Sequence, residues 1–339
     1  CHYNVLYMLI CKDCFLDEEL QSEVASNANT EGRCEVCGNH GRLIDFLEFH
    51  PFFDELLSLF EPSTKSEKTI VDFIQDDWRI FKDRDIANIL LNDIISTYAY
   101  SFSINTYVDY NLNIQERVAV WDRLKKSIKE DCRLFSNMDV FTQYNYLTPG
   151  KSLPIGHKLY RSRITPAGQN KIKCKKMGCP PKELATAGRA NPIGIPYLYL
   201  SDTAKTTYFE VRALYLDRLS VGTFKTTREL KLVDFIYDVN LFLAYNDGEV
   251  SLAETIIKKK IIDAISADLS KPLRRYDSEL EYVPTQLICE YCRHIVNADG
   301  ITFESSLHTG GRNYVLFDEN SAQCMRVDLH EITTIDIDK

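Results

Sequence analysis

Two C-x2-C pairs stand near the start of the chain, Cys11-Lys12-Asp13-Cys14 and Cys34-Glu35-Val36-Cys37, with nineteen residues between them. Each pair can offer two thiolates to one ion, and two pairs close a tetrahedron, so the spacing predicts a structural Zn²⁺ held by Cys11, Cys14, Cys34 and Cys37. Four sulfur ligands leave no position for water, which argues against a catalytic metal. Gly38 follows the second pair, where a knuckle turn calls for positive φ. Cys1, His2 and His40 are near enough in sequence to replace one ligand.

A second concentration of chemistry lies past residue 150. Lys158-Leu-Tyr-Arg-Ser-Arg163 alternates as a strand, with Arg161 and Arg163 on one face and Tyr160 and Ser162 on the other. Guanidinium groups there can grip phosphate bidentately. The stretch Met177–Pro196 is dense in Gly and Pro and includes Arg189 and Asn191, the composition of a binding loop. Tyr197–Ser201 then reads as a strand containing Tyr199, and Asp202 or Thr203 can cap a helix that carries Glu210. Gly300–Ser306, ending on Ser305 and Ser306, and Asn313–Phe317 read as further strands around Gly310-Gly311. Taken alone, these residues define an α+β domain with a polar, arginine-lined pocket.

The chain has 339 residues, 45% hydrophobic and 26% charged, which fits a folded protein of about two domains. No run reaches the roughly 18 apolar residues of a membrane span, and the opening segment lacks the pattern of a secretory leader. A cytoplasmic protein with reduced thiols is therefore expected, its 11 cysteines serving metal and core ahead of disulfides. Residues 1–150 hold 14 Lys+Arg against 25 Asp+Glu, while residues 151–339 hold 26 against 24. The acidic first half argues against nonspecific nucleic-acid binding, and the second half can still present a basic pocket to a small anion.

From Leu43 to Phe135 the apolar period is helical. Ile114, Val118, Trp121, Leu124, Ile128, Cys132 and Phe135 share a face behind Asn113 and Glu116, placed as N-cap and capping box. Ser66 is positioned to cap a helix through Ile70, Val71, Ile74, Trp78 and Phe81, and Ile86–Ile95 is apolar enough to be buried. Pro149, Gly150, Pro154 and Gly156 mark a linker. These signals divide the chain into a zinc knuckle at 1–42, a helical domain at 43–150 and an α+β domain at 151–339. Cys289 and Cys292 sit in a helical apolar pattern and read as buried thiols.

The ordered set LYRSR, PPKELATAGRANPIGIPYLYL, YFEVR and GITFESS resembles the RES-domain family over residues 151–339, and the knuckle and helices are similar to HEPN-like regions fused to some RES domains. The ribonuclease Arg–His spacing of such helical domains occurs here only as Arg33 and His40, inside the knuckle, which argues against nuclease activity. What the resemblance implies is an ADP-ribosyltransferase-like fold, NAD⁺ as substrate and cleavage of its nicotinamide–ribose bond by hydrolysis or phosphorolysis. It implies catalytic roles for Arg161, Tyr199, Glu210 and the Ser305-Ser306 pair, with Arg161, Arg189, Asn191 and Tyr199 contacting NAD⁺. Where the family commonly has Pro before the serines, Glu304 stands here.

The expected protein is thus an NAD⁺-consuming effector, a glycohydrolase or phosphorylase of the toxin type, restrained by its N-terminal half or by an antitoxin. Two other readings stay open at this point: transfer of ADP-ribose to a macromolecule, and a binding module that senses NAD⁺ or ADP-ribose without turnover. Phosphate is a candidate acceptor, no membrane partner is expected, and homo-oligomerisation is left open.

Overall fold

The computed structural model describes residues 7–133, 138–271 and 279–333; Cys1, His2 and Phe135 fall outside them. Packing divides the chain into two compact units, Cys1–Ala119 with Asp238–Lys259, and Val120–Tyr237 with Lys260–Lys339. Helices and strands mix as an α+β protein. This division runs differently from boundaries drawn at residues 42 and 150, because residues 120–150 pack with the second unit and residues 238–259 with the first.

In the first unit, strand His40–Asp45 lies between Leu9–Cys11 and Thr30–Arg33, antiparallel to both. Arg33 and His40 face each other as a cross-strand pair in this ladder. Asp17 caps the helix Glu18–Asn27, its Oδ1 accepting from the Glu19 and Leu20 amides at 3.0 Å. Its Oδ2 accepts from Asn240 Nδ2 at 2.7 Å, which ties residues 238–259 into the unit. The core is aromatic: Phe53 stacks on Phe81 at 5.4 Å, and Phe242 packs on Phe49 and Phe52. Helix Arg84–Tyr98 buries Ile86, Ala87, Leu90, Leu91, Ile94 and Ile95, in line with the apolar run read from the sequence.

Three local expectations change. Thr69, not Ser66, caps the helix Ile70–Phe73, in a reciprocal capping box with Asp72, and Ser66 Oγ instead accepts from the Lys68 amide. That helix becomes a π turn at Ile74–Trp78 and stops at Arg79, which has φ of 51°. The long helix read through residue 135 is two helices, Leu112–Val118 capped by Asn111 and Val120–Glu130. The apolar period survives the break because the two pieces serve two cores: Ile114 is buried in the first unit, and Trp121, Leu124 and Ile128 in the second. Cys132, expected on that apolar face, is exposed.

The second unit is built on an eight-stranded sheet. Its strands are β1 (Pro149–Leu153), β2 (Lys158–Ile164), β3 (Leu198–Ser201), β4 (Arg218–Thr226), β5 (Leu230–Asp234), β6 (Gly300–Glu304), β7 (Arg312–Leu316) and β8 (Ala322–Glu331). Their spatial order is β8-β4-β2-β3-β7-β6-β5-β1. All pairs are antiparallel except β5 with β6. β1 lies in the segment expected to be a linker; as the edge strand it tolerates Pro149, whose missing N–H would break a central ladder. Leu159, Leu198, Leu200, Phe224, Leu230, Leu232 and Leu316 are buried together on one face.

β2 pairs with β4 over seven residues but with β3 at one position only, Tyr160 opposite Ser201. The sheet is therefore poorly zipped between its two halves, and helix Ala204–Glu210 follows directly from β3 at that place, capped by Thr203. Helix Val283–His294 buries Cys289 and Cys292 completely, as helical spacing requires of apolar thiols. Among the described residues no helix is long and apolar enough to cross a membrane.

Trp121 is fully buried in the second unit and donates from Nε1 to Asp268 Oδ2 at 2.7 Å. Trp121→Ala is expected to lower the unfolding free energy of that unit by about 3–5 kcal/mol, read as an earlier urea transition; a loss under about 1 kcal/mol would mean residues 120–130 are not part of its core.

Candidate functional site

The poorly zipped place in the sheet holds a cavity of about 470 Å³. Strand β2 lines it with Tyr160, Arg161 and Ser162, β3 with Tyr199 and Ser201, the following helix with Thr207 and Glu210, and the loop before β3 with Gly188, Arg189 and Asn191. Ser306 and Asn313 complete it from the far side of the sheet order. The residues expected from the sequence thus converge, apart from Ser305, which stands directly behind the carboxylate.

Arg161 points its charge into this space from a strand. Its Nη1 is buried and has no hydrogen-bond partner, and the Cys179 thiol lies beside the guanidinium. Burial first, and then the charge of Arg163, bring it down to about 10. It remains a cation at neutral pH, desolvated and with a donor to spare. Arg163 does other work, donating from Nη2 to the Gly178 carbonyl at 2.8 Å and so pinning the loop.

Tyr199 and Asn191 form one locked pair. The tyrosine hydroxyl donates to Asn191 Oδ1 at 2.7 Å and accepts from the Ala190 amide at 3.2 Å. Burial pushes that hydroxyl above the ordinary tyrosine range, so it stays protonated. Asn191 Nδ2 is spent on the Thr186 and Pro192 carbonyls, both at 3.1 Å, so this side chain shapes the loop. Gly188 has to be glycine: a Cβ would stand 2.6 Å from Asn191 Oδ1 and 2.8 Å from the Tyr199 hydroxyl. Thr285 and Gln286 hold the same loop from helix Val283–His294, donating to the carbonyls of Arg189, Gly188 and Asn191. Arg189 donates from Nη1 to the Leu269 carbonyl at 2.6 Å, at the negative end of helix Leu252–Ser270.

Glu210 is the last residue of its helix and is exposed toward the cavity. Its Oε1 accepts two hydrogen bonds, from Ser305 Oγ and from Asn313 Nδ2, each at 2.7 Å. The two serines, of which the sequence reading favours Ser305 without settling the choice, part company here. Ser305 is buried and bonds Glu210, while the Leu307 and His308 amides donate to its Oγ at 3.3 and 3.2 Å. Ser306 is exposed and donates to the Ser270 carbonyl instead. His308 holds the serine turn on the glutamate helix, stacking on Phe209 at 4.9 Å and meeting Thr206 Oγ1 at 3.0 Å.

Asn313 and Ser201 were not singled out by sequence reasoning. The available signal was an amide residue at the start of the strand-like run Asn313–Phe317, a poor β-former that calls for a partner. Together the groups can hold a small anion at Arg161 and present a fixed carboxylate to a centre that gains positive charge.

The thiolate cluster lies in the first unit. The four Sγ atoms of Cys11, Cys14, Cys34 and Cys37 are within 4.8 Å of one another, with Cys11 to Cys37 at 3.3 Å and Cys14 to Cys34 at 3.5 Å. A tetrahedron with arms of about 2.3 Å has edges of about 3.8 Å, so the cluster fits Zn²⁺. Gly38 turns the knuckle with φ of 75°. The thiol hydrogen bond from Cys14 holds Cys34 down to about 4, and burial pushes Cys11 up to about 12. His40 is not part of this cluster, and among the described residues there is no second one.

The RES domain family model matches residues 162–338, beginning one residue after Arg161. None of the curated proteins matches the chain. Among solved structures, the crystal structure of the M. tuberculosis MbcT-MbcA toxin-antitoxin complex matches at 14% identity over 54% of this chain and 87% of that one, with a TM-score of 0.28.

The purified chain is expected to carry one equivalent of zinc by elemental analysis, and Cys34→Ser to lose it together with stability of the first unit, since structural zinc contributes folding energy. Full metal-free protein with an unchanged melting profile on chelation would rule the assignment out.

Proposed function

The chain belongs to the RES-domain family, and from that premise we propose that it is an NAD⁺-consuming enzyme that cleaves the nicotinamide–ribose bond, with water or phosphate as acceptor. The observation that supports this reading best is one cavity lined by two complementary charges: Arg161, with a buried and unpaired Nη1, and Glu210, fixed at one oxygen. NAD⁺ carries an anionic pyrophosphate and a ribose that becomes cationic as its nicotinamide leaves. Arg161, with Arg189 beside it, suits the first, and Glu210 suits the second.

In the reaction the ribose C1′–N bond breaks and its electron pair leaves on nicotinamide, which becomes neutral. The ribose takes on oxocarbenium character, an acceptor oxygen bonds C1′, and the acceptor's proton goes to solvent. Glu210 stabilises the developing charge. Arg161 supplies binding and orientation, the Tyr199 ring forms a wall for the nicotinamide, and the loop locked by Asn191 keeps that wall in place. The four cysteines hold a structural Zn²⁺ in this reading. An NAD⁺-degrading enzyme harms the cell that makes it, so restraint by the zinc-bearing unit or by a separate antitoxin belongs to the same proposal.

The test is incubation of the full chain with NAD⁺, with and without phosphate, and mass spectrometry of the small molecules. Release of nicotinamide is expected, with ADP-ribose naming water and a phosphorylated ADP-ribose naming phosphate as acceptor. Glu210→Gln is expected to lower kcat by roughly 100-fold or more, and Arg161→Ala to raise KM by about 10- to 100-fold, the value of a charge-assisted hydrogen bond. Label from NAD⁺ on a macromolecule would favour the transferase reading. Saturable binding without nicotinamide release would sink the enzyme and leave a sensor.

A further inference from the structure

Asn313 is the second residue of β7, with 8% of its surface exposed. It is opposite Ser201 in the ladder with β3 and opposite Phe303 in the ladder with β6. Ser201 Oγ donates to Asn313 Oδ1 at 2.8 Å, and both residues are buried. The ionised Glu210 carboxylate can only accept, so it takes the Nδ2 end of the amide and leaves Oδ1 for the Ser201 hydroxyl. Nδ2 donates to Glu210 Oε1 at 2.7 Å. Ser305 donates to the same oxygen, and its own lone pairs take the Leu307 and His308 amides, so its proton is committed to the glutamate.

The consequence is an asymmetric carboxylate. Oε1 accepts from two donors, one in the sheet and one in the serine turn, whereas among the described residues no hydrogen bond reaches Oε2. A glutamate at a helix end has three rotatable bonds, and two donors on one oxygen remove most of that freedom. We propose that Asn313, oriented by Ser201, is a positioning residue of the reaction: with Ser305 it holds Glu210 by Oε1 so that Oε2 alone is offered to the ribose. This rests on the NAD⁺ reading above for the identity of the ribose, and on geometry alone for the clamp. In that reading Arg161 and Arg189 take the pyrophosphate and Tyr199 the nicotinamide, and the Asn313 amide is spent on Glu210 and Ser201, so its loss should slow turnover without weakening binding.

The experiment is steady-state kinetics of the full chain on NAD⁺. Asn313→Ala is expected to lower kcat by about 10- to 100-fold with KM changed by less than about threefold, the pattern of an interaction that matters in the transition state. Asn313→Asp sets an acceptor against an acceptor and should be slower still. Ser201→Ala, which frees the amide to turn, should cost about 3- to 10-fold and carries the test if the Asn313 variants do not fold. In a Glu210→Gln background Asn313→Ala should slow the enzyme no further, because both changes disable one device. A kcat within about twofold of wild type for Asn313→Ala, or an equal loss in both backgrounds, overturns the proposal. Should the wild type release no nicotinamide, the functional reading fails by itself. A crystal structure of Asn313→Ala then decides the clamp: a Glu210 carboxylate swung off its present rotamer supports it, and an unmoved one overturns it.

Discussion

Strands β2 and β3 share one pair, Tyr160 opposite Ser201, and the site depends on that incomplete seam. A fully zipped sheet at this place would bury its backbone groups in ladder hydrogen bonds and leave no concavity. Because the seam stays open, side chains from β2, β3 and the helix that follows can line one cavity, and Arg161 can bury its charge against the sheet with a donor unspent. The two sides of the seam bring different chemistry. β2 contributes the cation, while β3 leads into the helix that ends on Glu210.

An opening of this kind is kept in shape by what surrounds it. The loop before β3 has little regular structure, yet nearly every polar group in its tip is spoken for, by Tyr199, by Asn191 and by helix Val283–His294. Such a loop gives rigidity at the cost of sequence freedom: Gly188 cannot accept a side chain, and Arg189 serves the end of a helix as well as the cavity wall. On the opposite side the serine turn divides its labour, one hydroxyl for the carboxylate and the next for a helix carbonyl.

Much of this was readable from the chain, for physical reasons that differ by residue. Cys11, Cys14, Cys34 and Cys37 announce themselves because each C-x2-C pair brings two thiols together over a few residues. Strand β2, strand β3 and the helix to Glu210 follow from alternation and a threonine cap, both local signals. The choice between Ser305 and Ser306 could not be settled, since only partners 95 and 36 residues away distinguish them. Asn313 was missed because its value lies in a cross-strand pairing, which no spacing along one segment encodes. The edge strand β1 was read as a linker because its prolines say only where the backbone lacks donors, and not that an edge makes the lack harmless. The helix through residue 119 kept its period while changing the core it serves, and periodicity carries no such information.

The order in which the clamp is synthesised has its own effect. On a ribosome Glu210 emerges 95 residues before Ser305 and 103 before Asn313, and nothing nearer in the chain grips its carboxylate. Tyr199 and Arg161 are also made early, so a nascent chain holds these cavity side chains before the residues that align Glu210. A chain that ends before residue 305 therefore lacks both donors that fix the Glu210 carboxylate, whatever else of the cavity it has made.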